Sequence, residues 1–187
     1  MSFSNPASQA KENAAAYVRS LLELLGDRDP LQVQAEQLEV LASETCGMDD
    51  ATLRRVEKPG KWSILQVIQH LADTELVQGY RLRMVLAHET PEIQGYDQDL
   101  WATQLKYSGG QLADSLSQLR ALREANLRLL RSLTPQQFER VGLHSERGPE
   151  SVRRMMQMTA GHDLLHRNQI RRIKRAIGVG TTPDPHE

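Results

Sequence analysis

Aromatic side chains are scarce, at 4% of 187 residues: two Trp, four Tyr and two Phe. Sheet faces draw heavily on aromatic and β-branched residues, so this scarcity argues against a β-sheet core. Cysteine is almost absent as well. Cys46 stands alone, which excludes an intramolecular disulfide and makes the reducing cytoplasm the expected compartment. It follows an apolar helical run just before Gly47, where a half-buried, inert thiol is expected. Charge of one sign is lacking, because 23 Lys and Arg against 24 Asp and Glu leave a formal net charge of −1. That balance supplies no general field for nucleic acid or an anionic membrane, so neither is an expected partner. No apolar run approaches the ~18–20 residues of a membrane span. The N-terminus has no basic stretch followed by an apolar one, so no signal peptide is expected.

What is abundant is leucine, alanine, glutamine and arginine, all residues that favour helices packed through aliphatic side chains. A hydrophobic fraction of 39% and a charged fraction of 25% are ordinary for a soluble globular protein. The length suits one domain, placed at residues 1–180, with a loose polar start over 1–8 and a Pro-rich disordered tail over 181–187.

Apolar residues recur at three- and four-residue steps from about Gln9 to Leu25 and again from Leu31 to Thr45. Gly26 and Asp29-Pro30 interrupt them, leaving open one kinked helix or two. Gly47 to Lys61 reads as loop. Ser63 is placed as an N-cap for a helix running to about Ala87. Residues 91–108 form a long connection with a short helix around Asp97–Lys106, and a connection of that length is often functional. A further amphipathic helix spans about Gln111 to Leu133, with Arg120, Arg123, Arg128 and Arg131 on faces that read most simply as solvated, leaving open that one or two of them point at a site, with nothing to separate them. Thr134-Pro135 starts a short helical turn. His144 to Pro149 is expected as a polar loop in which His144 meets water, and the last helix runs from about Glu150 or Ser151 to Ile177. The architecture expected is all-α, an antiparallel four-helix bundle.

Within it, His162 and His166 lie four residues apart on one helical face, with Cβ atoms roughly 5–6 Å apart. Both fall on the apolar stripe of their helix, between Met155-Met156 and Ile170-Ile173. His70 lies within the inward arc of the Ser63–Ala87 helix. If these two helices face each other, the three imidazoles meet in the interior. A core-facing histidine taken singly is more often just hydrogen-bonded. Three of them on two core helices form the nitrogen set of an open, catalytic metal site, whereas structural zinc is usually closed by four protein ligands. Nitrogen ligands suit zinc, nickel, copper and iron(II) alike. His88 and His186 read as surface residues. The run His162-Asp163-Leu164-Leu165-His166 has the spacing of the zincin His-Glu-x-x-His, but Asp163 replaces the general-base glutamate and no third downstream ligand follows.

Three segments together carry a resemblance. They are Gly60-Lys61-Trp62-Ser63 leading to Val67, His70-Leu71, Asp73 and Glu75; Arg81 with Gly95-Tyr96-Asp97-Gln98-Asp99 and Trp101; and His162-Asp163, His166 and Gln169-Ile170. Over about residues 30–177 the chain resembles the DinB/YfiT-like family of DNA-damage-inducible proteins. The resemblance implies a four-helix bundle, often a homodimer, with a divalent metal, nickel or zinc, on His70, His162 and His166. It also implies a small-molecule substrate and a metal-dependent transferase joining a low-molecular-weight thiol to an electrophile. The alternatives are a metal-dependent hydrolase and a non-catalytic, stress-associated bundle that binds metal or a partner. Asp73, Arg81 and Asp163 are the catalytic candidates. Asp73, Asp97 and Asp163 are candidate acceptors orienting the imidazole N–H groups, with surface solvation as the plainer expectation. Arg81, about three turns from His70, is a candidate to hold a carboxylate, with an ion pair to a neighbouring helix as the plainer one. Leftover aliphatic faces on the first and third helices permit a dimer.

Overall fold

The computed structural model describes residues 7–180, with side chains from residue 14 onward. The expectations for residues 1–6 and for the tail 181–187, with His186, lie outside the described residues. Two helices, α1 (Ala7–Leu25) and α2 (Pro30–Thr45), settle the choice left open at the N-terminal end. Gly26 ends α1 at φ +57°, which a side-chain-bearing residue rarely adopts. Asp29 then accepts a hydrogen bond from the Leu31 amide, with Pro30 at the first helical position. Cys46, expected to be half-buried, is exposed beyond the end of α2.

The expected loop after it contains one helical turn, α3 (Asp50–Leu53), capped by Asp49. Ser63 caps α4 (Ile64–Ala87) as expected, within a capping box completed by Gln66. The long connection then holds β1 (Glu92–Ile93), α5 (Gln98–Gln104) and a 3-10 turn at Tyr107–Gly109. The chain continues through α6 (Leu112–Arg131), α7 (Pro135–Phe138), β2 (Val141–His144), β3 (Gly148–Ser151) and α8 (Val152–Ala176).

The small sheet was not foreseen. β2 pairs parallel with β1 and antiparallel with β3. The segment expected as a polar loop is therefore a hairpin turn, with Gly148 at φ +75°. His144 is 3% exposed and does not meet water as expected. Gly142 presses β2 so closely on Val85 and Ile93 that a Cβ would lie 2.8 and 2.6 Å from them. That close approach is what draws the hairpin, and His144 with it, into the protein.

α2, α4, α6 and α8 make the bundle, and α1 lies against α8. α4 runs antiparallel to α8: Leu82 and Val85 pack with Val152 and Met155, while Ile64 and Ile68 pack with Ile170 and Ile173. α4 and α6 run in the same direction, since Gln69, Asp73 and Glu75 bond in turn to Ser115, Gln118 and Asn126. A parallel pair needs a long return, and the segment from His88 to Gln111 supplies it. The return path carries Tyr96 and Trp101 past the middle of α4. No helix among the described residues is long and apolar enough to cross a membrane.

One close approach fixes α1. A Cβ on Gly161 would collide with the Leu21 carbonyl. Gly161→Ala is expected to displace α1 and lower stability by about 1–3 kcal/mol, the usual scale of overpacking. Urea denaturation measures it, and an unchanged midpoint would refute the fit.

Candidate metal centre

The apolar interior has two main parts. One is built around Ile64, Leu65, Ile68 and Leu71 of α4 and Ile170 and Ile173 of α8, the other around Leu82 and Val85 of α4 and Val152 and Met155 of α8. Between them, where α4 and α8 cross in opposite directions, stand His70, His162 and His166. All three are buried, and one ring nitrogen of each lies within 4.8 Å of the others. His162 Nε2 is 3.2 Å from His70 Nε2 and 3.0 Å from His166 Nε2. Two nitrogens held at 2.0–2.1 Å from one ion, at tetrahedral or octahedral angles, are about 2.8–3.4 Å apart. The spacing therefore fits a single ion.

The hydrogen-bond arrangement fits it too. Gln169, one turn beyond His166, presents its carbonyl oxygen 2.7 Å from His166 Nδ1. A carbonyl only accepts, so the ring proton sits on Nδ1 and the Nε2 lone pair is bare. It faces a second Nε2, which itself faces a third. Burial is the largest influence on all three imidazoles and disfavours their charged forms. It holds His70 and His166 well below the usual histidine range, assisted by the neighbouring imidazoles. His162 is pushed down to about 4, mainly by burial and also by Arg123. All three are neutral near pH 7, the state in which imidazole ligates a metal.

This gives the metal-free protein a definite pH dependence. The folded state resists protonation of His162 down to about 4, whereas in the unfolded chain histidine takes a proton near 6.5. Between those values the unfolded chain binds more protons, so stability rises with pH. The contribution is fully present above about 6.5 and is lost as pH falls toward 4. Melting temperature of metal-free protein is expected to drop steadily across that window, and a flat profile would contradict it.

Around the cluster, the Trp62 ring lies 5.0 Å from that of His70. Thr74 Oγ1 is 3.4 Å from His70 Nε2 and 2.9 Å from the Tyr96 hydroxyl. The Tyr96 and Trp101 rings meet at a tilt of 51°, with centroids 4.7 Å apart. His162 and His166 open onto a cavity of about 1560 Å³ bounded by α1, α4, α8, the long connection and the hairpin.

The three aspartates do not orient the imidazoles. Asp73 accepts from the Tyr107 hydroxyl at 2.6 Å and from Gln118 at 2.8 Å. Asp163 is ion-paired to Arg123 at 2.6 Å. Its place one residue after His162 turns it about 100° round the helix, toward α6. Both are buried, so surface solvation does not describe them either. Asp97 caps α5 through the amides of Asp99 and Leu100. Arg81 is buried without an ion pair among the described residues. It donates to the Gln94 carbonyl and lies over the Tyr96 ring at 5.8 Å.

Arg123, which the sequence did not separate from the solvated arginines of α6, is 2% exposed. It bridges Asp163 and Glu75, the latter at 2.9 Å, and donates to the Gln34 carbonyl. Nothing in the sequence marked it. Gln169 carried a signal, since it follows His166 by three residues on the same inward stripe.

The family model of the DinB superfamily matches residues 32–170. A candidate metal-dependent hydrolase of Oceanobacillus iheyensis is 32% identical over 127 residues, covering 68% of this chain and 73% of its own length. YfiT of Bacillus subtilis is 38% identical over 102 residues, covering 53% of this chain and 56% of its own. The solved structure of YfiT, described as a probable metal-dependent hydrolase with an unusual four-helix bundle topology, matches with a TM-score of 0.76 and 28% identity. That match covers 81% of this chain and 87% of YfiT.

Proposed function

We propose, for a chain that belongs to the DinB superfamily, that His70, His162 and His166 hold one divalent metal ion and that the protein is a metal-dependent transferase. The observation that carries the metal is the convergence of three buried Nε2 atoms at 3.0 and 3.2 Å. An all-nitrogen donor set suits nickel or zinc. A divalent ion held there supplies Lewis acidity, lowering the pKa of a thiol or a water that takes an open position.

Two features of the surroundings favour a low-molecular-weight thiol as the nucleophile. First, no carboxylate among the described residues bonds to the three imidazoles, and Asp73 and Asp163 are engaged elsewhere. Attack by water gains from a positioned base, whereas a thiol ligating a metal is deprotonated outright. Second, a cavity of about 1560 Å³ exceeds the about 300–1,000 Å³ of a site for one small ligand. It has room for a thiol and an electrophile together. Tyr96 and Trp62, both on the cavity wall, offer flat apolar surface for the latter, and Thr74 fixes the Tyr96 hydroxyl.

Hydrolysis is the second reading, favoured by the description given to the relatives. Metal-loaded protein mixed with several small thiols and 1-chloro-2,4-dinitrobenzene separates the two. Transfer forms the C–S bond, expels chloride and releases the thiol proton to solvent. Thiol-dependent conjugation is the expected result. No conjugation with any thiol, together with turnover of activated esters, would replace transfer with hydrolysis.

A further inference from the structure

The cavity has a second polar locus, distinct from the histidines, at its hairpin end. Arg81 is 6% exposed, yet it lines the cavity. Its guanidinium gives one hydrogen bond, to the Gln94 carbonyl, and has no carboxylate partner among the described residues. The other N–H groups are not sealed in and open onto the cavity. Buried guanidinium groups ordinarily find an anion, because leaving the fork unpaired in a low dielectric is costly.

The neighbours leave that need unmet. Arg147 is satisfied by Glu150 of its own hairpin. Glu146 is only half-buried and makes no ion pair with Arg81. His144 adds to the excess of donors. Its Nδ1 accepts from the Glu146 amide, which places the proton on Nε2, and Nε2 is buried with no acceptor. The walls as a whole point the same way. Six basic side chains (Lys61, Arg81, Lys106, Arg147, Arg172 and Arg175) line the cavity against three acidic ones, Glu57, Asp99 and Glu146. Arg147 and Arg172 are offset by Glu150 and Glu57, and the smaller surplus that is left still favours an anionic ligand in a chain whose net charge is −1.

We propose that Arg81 is the anchor of a carboxylate subsite, so that the molecule acted on at the histidines carries a carboxylate. A carboxylate fits better than a phosphate dianion, since among the described residues Arg81 is the single buried cation on the cavity wall without an acidic partner, and one fork matches one carboxylate. Arg81 follows His70 by eleven residues in α4, a rise of roughly 16 Å along the axis. The long arginine side chain shortens that separation, because Arg81 lies over the Tyr96 ring at 5.8 Å and the Tyr96 hydroxyl meets Thr74 beside His70, so one small substrate spans both loci. The position of the reacting end rests on the metal-centre reading; the subsite itself does not.

The test uses metal-free protein, so that carboxylate binding is read apart from the ion. Calorimetric titration with 4-phenylbutyrate is expected to show saturable binding, with the neutral 4-phenylbutyramide at least about tenfold weaker, on the scale of a lost charge-assisted bond. Arg81→Met is expected to weaken the acid by a similar factor and leave the amide unchanged. Arg81→Lys, which keeps the charge without the fork, should fall between and guards against a misfolded Met variant. Inorganic phosphate is expected to compete poorly. No saturable binding of the acid, equal binding of acid and amide, equal binding by wild type and both variants, or tighter binding of phosphate would overturn the subsite. His162→Ala is expected to bind the acid as wild type does, so loss of the metal site and loss of the subsite give separate signatures.

Discussion

Arg123→Met is expected to cost about 3–5 kcal/mol of folding stability, the range seen when one partner of a buried ion pair is removed. The guanidinium is 2% exposed and serves Asp163 and Glu75, which are themselves 1% and 3% exposed at the side chain. Removing it strands two carboxylates in the interior, where an unpaired charge is far costlier than an unpaired dipole. Urea denaturation reads the loss as a lower midpoint with the slope little changed. The triple variant Arg123→Met, Glu75→Gln, Asp163→Asn removes the charges together and is expected to recover much of it. A single variant as stable as wild type would show that the triad does not hold α4, α6 and α8 in register.

Metal addition is expected to produce the other large effect. An ion that binds the folded protein alone, at about a thousand times its Kd, stabilises it by about 4 kcal/mol. For a chain of this size that raises the melting temperature by roughly 8–16 °C. Elemental analysis of loaded, desalted protein should give about one nickel or zinc per chain, as expected for one three-histidine site. His162→Ala should abolish both the stoichiometric metal and the thermal shift, because His162 Nε2 is the nitrogen that lies beside the other two. A wild-type protein that takes up neither metal would leave the histidines as a neutral polar cluster and remove the basis for the transferase reading.

The two variants probe features of unequal visibility in the sequence. The histidine pair was legible because four-residue spacing on an apolar stripe is a local property of one helix. His70 was legible through the inward arc of α4, which Ser63 starts where its capping box requires. Arg123 was not, although Arg120, Arg128 and Arg131 share its helix. Its burial is set by Glu75 and Asp163, residues 48 and 40 positions away, and no pattern within α6 separates a buried arginine from a solvated one. The hairpin escaped for a different reason. β2 and β3 have four residues each, too short for a two-residue alternation to declare itself, and the order comes from Gly142 fitting against Val85 and Ile93. The parallel course of α6 beside α4 was hidden because connection length sets which directions are possible, not which is taken.

The shortage of aromatic residues has a spectroscopic consequence. The chain has two tryptophans, and Trp62 lies against His70 with ring centroids 5.0 Å apart. Open-shell nickel bound at the histidines should quench its emission, while closed-shell zinc should leave it bright, so intrinsic fluorescence reports which ion is present as well as how much. Trp101, in tilted contact with Tyr96, supplies the second signal, and Trp62→Phe separates the two. The site thus carries its own optical label, placed there by the same residue that walls the cavity.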